Sequence, residues 1–215
     1  MKKRIVILVS GNGSNAQAII DQCRNDYING EVVALISNRP NAYALVRAEQ
    51  SNIATQCIDH TKYAERHLFD NALASCITKL QPDLIVLAGF MRILTTDFVA
   101  QFEGKMLNIH PSLLPKYPGL NTHQRAIESG DTNHGASVHF VTSELDGGPV
   151  VLKSQIKIRE ADTPNELAER VAKTEWKIYP EVVRWFCEDR LQWINGAVYF
   201  DNKMLQSNGM VYDEI

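Results

Sequence analysis

Met106-Leu107-Asn108-Ile109-His110-Pro111 reads as a short strand stopped by a proline. Side chains alternate along a strand, so Leu107 and Ile109 share one face while Asn108 and His110 share the other. An amide and an imidazole therefore point the same way at the strand's C-terminal end, the edge of an open α/β sheet where ligands sit.

Outward from this strand the chain alternates buried strands with helices. Arg4-Ile5-Val6-Ile7-Leu8-Val9 and Leu84-Ile85-Val86-Leu87-Ala88 are unbroken apolar runs, the pattern of strands buried on both faces. Val32–Ile36 and a stretch near 54–58 add two more strands, and Val150–Ile158 a further one. Helical spacing marks Ala16, Ile19, Ile20 and Cys23, a helix over about 42–50, and a longer one over about 62–80 with Ala64, Leu68, Ala72 and Cys76 on its apolar stripe. Thr96-Asp97 is expected to cap a short helix. Thr163-Pro164-Asn165-Glu166 is a capping box with proline in first position. Leu167, Val171, Ile178 and Val182 form the stripe of the helix that follows, and Pro180 is expected to end or kink it. Asn195-Gly196 between two β-rich runs reads as a hairpin turn. The pattern predicts an α/β fold, a three-layer domain on a mostly parallel sheet, with a long C-terminal helix and a small hairpin. The final residues are expected to be loosely held.

The bulk numbers narrow the function classes. The chain has 215 residues with 45% hydrophobic residues, enough for a core in one domain. Residues 1–100 and 101–200 read as two halves of it and 201–215 as a tail. The net charge of −3 gives no basic field for nucleic acid. The Ile5–Val9 run is too short for a signal or a membrane span, so a cytoplasmic protein is expected. The four cysteines lack C-x-x-C spacing and read as reduced, structural thiols. The histidines lack metal-ligand spacing, so no metal is expected.

Three segments carry chemistry. Ser10-Gly11-Asn12-Gly13-Ser14-Asn15 links a strand to a helix, so its amides and the helix N-terminus form an anion site. Gly11-x-Gly13-x-x-Ala16 also fits a dinucleotide fingerprint, but no acid ends the second strand, and Arg39 there suits only a 2′-phosphate. A phosphate monoester, a dinucleotide and a purely structural turn all stay open. Gly89-Phe90-Met91-Arg92-Ile93-Leu94 puts apolar residues at the ligand end of a strand, the wall of a site for a flat ring or simply core. In Leu145-Asp146-Gly147-Gly148-Pro149 the glycines permit positive φ and close approach, which can fold Asp146 back on a neighbour.

Asn108, His110 and Asp146 together suit acyl transfer to an amine. The amide can donate to a tetrahedral oxyanion, the imidazole can move a proton, and the carboxylate can steady the imidazolium. Glu175 falls inside an apolar stripe and needs a partner there. Arg66 reads as a solvated helix charge, His123 as a surface or capping residue, His134 as exposed in a polar turn, and His139 as half-buried in a strand.

The Gly11–Asn15 loop, Ala88–Leu94, Asn108-Ile109-His110-Pro111-Ser112-Leu113-Leu114-Pro115 and Leu145–Pro149 together resemble the phosphoribosylglycinamide formyltransferases, the folate-dependent transformylases of purine biosynthesis. The resemblance covers about residues 4–200. It implies a Rossmann-like fold and transfer of the formyl group of 10-formyltetrahydrofolate to the amine of glycinamide ribotide. It implies Asn108, His110 and Asp146 as the catalytic trio. Gly13, Ser14 and Asn15 would hold the ribotide phosphate, and Ala172, Lys173, Thr174 and Glu175 its ribose or glycinamide. The folate would lie on Met91, Arg92, Ile93, Leu94 and Asn108, on the loop Thr142, Ser143, Glu144, Leu145 and Asp146, and on Arg66 near its acidic tail. A monomer or weak homodimer is expected, with no nucleic acid or membrane partner.

The same trio also resembles formyltetrahydrofolate deformylases, which carry an added N-terminal regulatory domain. It resembles methionyl-tRNA formyltransferases too, which carry a basic C-terminal domain. A non-catalytic NADP-binding module is the alternative of another class.

Overall fold

Hydrophobic alternation and the turn residues between runs dictate a layered sheet, and the computed structural model, which describes residues 1–212, has one. In chain order the elements are β1 (Lys3–Val9), α1 (Ser14–Arg24), β2 (Gly30–Ser37), α2 (Tyr43–Gln50), β3 (Thr55–Cys57), α3 (Arg66–Leu80), β4 (Leu84–Leu87), α4 (Thr96–Gln101), β5 (Met106–His110), α5 (Thr122–Glu128), β6 (Asn133–Phe140), β7 (Val150–Lys157), α6 (Pro164–Cys187), β8 (Leu191–Ile194), β9 (Ala197–Phe200), β10 (Lys203–Met204) and β11 (Met210–Val211).

The main sheet has the order β11-β7-β6-β5-β4-β1-β2-β3. Every neighbouring pair is parallel except β5–β6 and β6–β7, so β6 alone runs against the rest. Strand order reverses at β1 between β2 and β4, which opens a crevice at their C-terminal ends. Ser10 and Gly89 meet there through a backbone bond of 3.1 Å.

Two cores sandwich the sheet. Ile5, Ile7 and Val9 pack with α1, α2 and α6; Val6 and Leu8 pack with Phe69 and Leu73 of α3 and with Phe98 and Val99 of α4. α6 begins with the expected capping box and proline. Its Tyr179 hydroxyl reaches the carbonyls of Leu87 at 3.0 Å and Leu107 at 2.9 Å, which ties the helix to the ends of β4 and β5. None of the described helices is long and apolar enough to cross a membrane.

Several expectations need correction. α3 starts at Arg66, which leaves Ala64 outside it, and its buried face is Phe69, Leu73 and Ile77 while Leu68 is exposed. The real stripe lies one residue on from the expected one, and the aromatic ring decides which is buried. The cap of α4 is Thr95, whose hydroxyl accepts from the Phe98 amide. Pro180 neither ends nor interrupts α6, which runs on to Cys187. Ile178, Tyr179, Val182 and Val183 around it are fully buried, and that packing outweighs a cost of about 3 kcal/mol for an interior proline. The Asn195-Gly196 turn forms with both residues at positive φ, but β10 adds a third strand to the hairpin. Residues 210–211 pair with β7 as an edge strand, so that part of the tail is held; residues 213–215 lie outside the described residues.

Candidate active site

Leu107 and Ile109 of β5, and Val138 and Phe140 of β6, point into the core beneath α6. The opposite faces carry Asn108 and His110, aligned across the antiparallel pair with His139 and Ser137. Loops 111–121 and 141–149 come over this face. Ser137 pins the first of them: its hydroxyl donates to the Ser112 carbonyl at 2.7 Å and accepts from the Leu114 amide at 3.0 Å. Tyr117, in the left-handed region with φ 57°, then presents its carbonyl to His110 Nε2 at 2.8 Å. A carbonyl only accepts, so Nε2 carries a proton.

Asp146 is folded back as expected, with a different division of labour. The positive φ of 51° falls on Asp146 itself, whereas Gly147 and Gly148 provide close approach. A Cβ on Gly148 would lie 1.9 Å from the Phe140 carbonyl oxygen, so only glycine fits. Asp146 Oδ2 accepts from the Gly119 amide at 2.9 Å and stands 3.4 Å from His110 Nδ1. That is longer than a charge-assisted hydrogen bond, so the two side chains face each other without forming one.

His139 is the residue that sequence reasoning undervalued. It is fully buried, not half-buried. Nδ1 lies 2.9 Å from its acceptor, the Phe140 carbonyl, which places the ring proton on Nδ1. Burial pushes its pKa down to about 4, so the ring is neutral and Nε2 is a lone-pair acceptor. Asn108 Nδ2 donates to it at 3.0 Å and to Asp146 Oδ1 at 3.5 Å. Both neighbours are acceptors; a flipped amide would put Oδ1 against a carboxylate. The two together orient the Asn108 amide nitrogen toward Asp146. The period-2 pairing of Ser137 and His139 was the signal available in the sequence, but the cross-strand register to Asn108 was not.

A cavity of about 90 Å³ opens beside this trio. Arg92, Ile93, Leu94, Thr142, Ser143, Glu144 and Leu145 line it together with Asn108, His139 and Asp146. Met91, expected around the pterin, does not line this cavity, and Arg66 was expected at the acidic tail outside it. Met91 is exposed and contributes its amide to Ser10 Oγ at 2.7 Å, and Arg66 stands exposed at the start of α3. Arg92 lies over the Phe69 ring, its Nε buried without a partner.

A second pole forms at the crevice. α1 is capped by Gly13 in the left-handed region with no side-chain cap, which leaves the first-turn amides pointing out of the helix end. Asn15 Nδ2 donates to Glu175 Oε2 at 2.8 Å. That is the partner the carboxylate on the apolar stripe required; burial still pushes the Glu175 pKa up. Asn15 Oδ1 is buried without a partner. Thr174 is engaged by Ser154 at 2.6 Å, whereas Lys173 is exposed and Ala172 half-buried. His134, expected on the surface, is buried in β6, and its Nε2 lies 3.1 Å from Nδ1 of His123. No cluster of metal-ligating side chains occurs among the described residues.

Comparison with known proteins gives a concordant picture. The family model described as formyl transferase matches residues 3–183. Phosphoribosylglycinamide formyltransferase of Escherichia coli (strain K12) is 48% identical over 210 residues, 98% of this chain and 99% of that protein. The protein of the same name from Haemophilus influenzae is 46% identical, over 96% of this chain and 98% of that protein. The structure of the phosphoribosylglycinamide formyltransferase of Coxiella burnetii in complex with CHES superposes with a TM-score of 0.94 at 47% identity, covering 99% of this chain and 100% of that one. A loop-capped Asn-His-Asp cluster, an uncapped helix opening across the crevice and near-complete coverage at this identity agree: the chain belongs to the formyl transferase family and, within it, to the phosphoribosylglycinamide formyltransferases.

Proposed function

We propose that this glycinamide ribotide transformylase of de novo purine synthesis moves the formyl group by direct attack of the ribotide amine on 10-formyltetrahydrofolate, with Asn108, His110 and Asp146 as the acting groups. The observation that carries the reading is the convergence of these three side chains, with Asn108 and Asp146 lining one cavity and His110 Nδ1 3.4 Å behind the Asp146 carboxylate. The amine nitrogen bonds to the formyl carbon, whose carbonyl becomes an oxyanion. The long 3.5 Å bond from Asn108 Nδ2 to Asp146 is the one given up to that oxyanion. The amine then loses a proton, the carbon–N10 bond breaks and N10 gains a proton, so the net change is one proton moved from amine to N10. His110 carries it, and the Asp146 carboxylate favours the imidazolium in transit.

The apolar Ile93 and Leu94 with the loop 142–146 suit the pterin, with Arg92 beside it. The present cavity is smaller than a pterin site needs, and its outer wall is loop 142–146, where Ser143, Glu144 and Leu145 are exposed. Arg66, exposed at the head of α3, would meet the folate's acidic tail. Gly13, Ser14 and Asn15 with Glu175 suit the phosphate and ribose of the ribotide, flanked by Ala172, Lys173 and Thr174. Both halves of the chain then contribute to both sides: residues 13–15 and 172–175 to the ribotide, and residues 66, 92–94 and 142–146 to the folate. No step calls for a metal.

Separate His110→Ala and Asp146→Ala variants test the reading. Each is expected to lower kcat about 10²- to 10⁴-fold with ribotide affinity, measured by calorimetry, unchanged. Near-normal turnover in either variant would overturn the assigned roles.

A further inference from the structure

The loop 11–13 is shaped from behind by α2. Gly13 packs so closely on this helix that a Cβ there would lie 2.5 Å from the Ala44 Cβ. The Ala44 amide donates to the Gly11 carbonyl at 3.0 Å. Arg47, one turn further along, donates from Nε to the Asn12 carbonyl at 3.0 Å and from Nη2 to the Asn12 side-chain oxygen at 3.1 Å, with its guanidinium over the Tyr43 ring at 4.9 Å.

These bonds have a directional consequence. In a planar trans peptide the C=O and the following N–H point opposite ways. Holding the Gly11 and Asn12 carbonyls against α2 therefore aims the Asn12 and Gly13 amides away from it, next to the uncapped first turn of α1. A run of amides fixed in this way is an anion-binding concavity. Both Arg47 bonds go to neutral oxygens, so its charge is left to act on an anion at the loop.

We propose that Arg47 is a positioning residue for the ribotide phosphate: it sets the peptide planes of the Gly11–Gly13 loop and does not touch the reacting atoms. The inference rests on the reading of that loop as the phosphate site. It makes the two-point fork of a guanidinium the requirement, and a lysine cannot replace both bonds.

Steady-state kinetics of full-length Arg47→Met and Arg47→Lys, with inorganic phosphate as a competitor, test it. Arg47→Met is expected to raise the ribotide KM and the inhibition constant of inorganic phosphate together, by about tenfold. The kcat at saturating ribotide and the folate KM should hold within about twofold. Arg47→Lys should recover less than half of the loss on a logarithmic scale. An unchanged ribotide KM in Arg47→Met, a fall confined to kcat, or full recovery by lysine would each overturn the positioning role. Ser14→Asp, run alongside, separates the two layers: it should weaken ribotide and phosphate by charge repulsion whatever Arg47 does. An unaffected ribotide KM there would overturn the phosphate-loop reading itself.

Discussion

Glu175 sits in the apolar stripe of α6 and accepts a hydrogen bond from Asn15. Burial raises its pKa above the usual 4.5, so the folded chain bears a cost for its ionised form at neutral pH that the unfolded chain does not. The cost is present above the folded pKa and vanishes below 4.5, where the carboxyl is protonated in both states. Glu175→Gln keeps an acceptor for Asn15 and removes the charge. It is expected to raise the melting temperature at pH 7.5 by about 2–4 °C and to weaken ribotide binding about tenfold or more. A lower melting temperature would contradict this account of the residue. His139 makes the complementary point about a buried ring: neutral, with one nitrogen donating and one accepting, it fixes the Asn108 amide without taking a charge.

Among the elements, α6 does the most to hold the catalytic edge in place, because the Tyr179 hydroxyl reaches the carbonyls of both Leu87 and Leu107. Tyr179→Phe leaves those buried acceptors without their donor. A loss of about 1–3 kcal/mol in urea unfolding is expected, and an unchanged midpoint would show that the bond contributes nothing. The runs of β1 and β4, the capping box of α6 and the Asn-Gly hairpin were legible in the sequence because each is a local signal. α3 was misread because two candidate stripes lie one residue apart along it, and only packing against β1 selects Phe69, Leu73 and Ile77. Pro180 was misread for the same reason, local propensity yielding to burial. That Asn108, His110 and Asp146 lie together was legible from strand alternation and turn chemistry. The seat of Asp146 on Gly119 and the link from Asn108 to His139 were not, since both depend on pairings over long sequence separations. His134 was masked by its polar neighbours Thr132 and Asn133.

At the scale of the whole molecule, two buried histidines couple stability to pH. Burial pushes both His134 and His139 from an ordinary value of 6.5 to about 4. Between those limits the unfolded chain binds protons that the folded chain refuses, so stability falls as pH drops from 6.5 toward 4. Urea unfolding at half-unit pH steps should show that decline, and His134→Gln should flatten it; an identical slope in the variant would mean that other groups set the acid limit. On the proposed reading the same architecture separates the two substrates, with the ribotide at the crevice of β1 and the folate under the loops over β5 and β6.

That arrangement makes the acceptor the decisive question. Release of tetrahydrofolate from 10-formyltetrahydrofolate should be followed with and without glycinamide ribotide, with the formylated ribotide quantified as product. The account predicts release only when ribotide is present, one formylated ribotide for each tetrahydrofolate. Equal release in its absence would make water the acceptor and contradict direct attack by the amine.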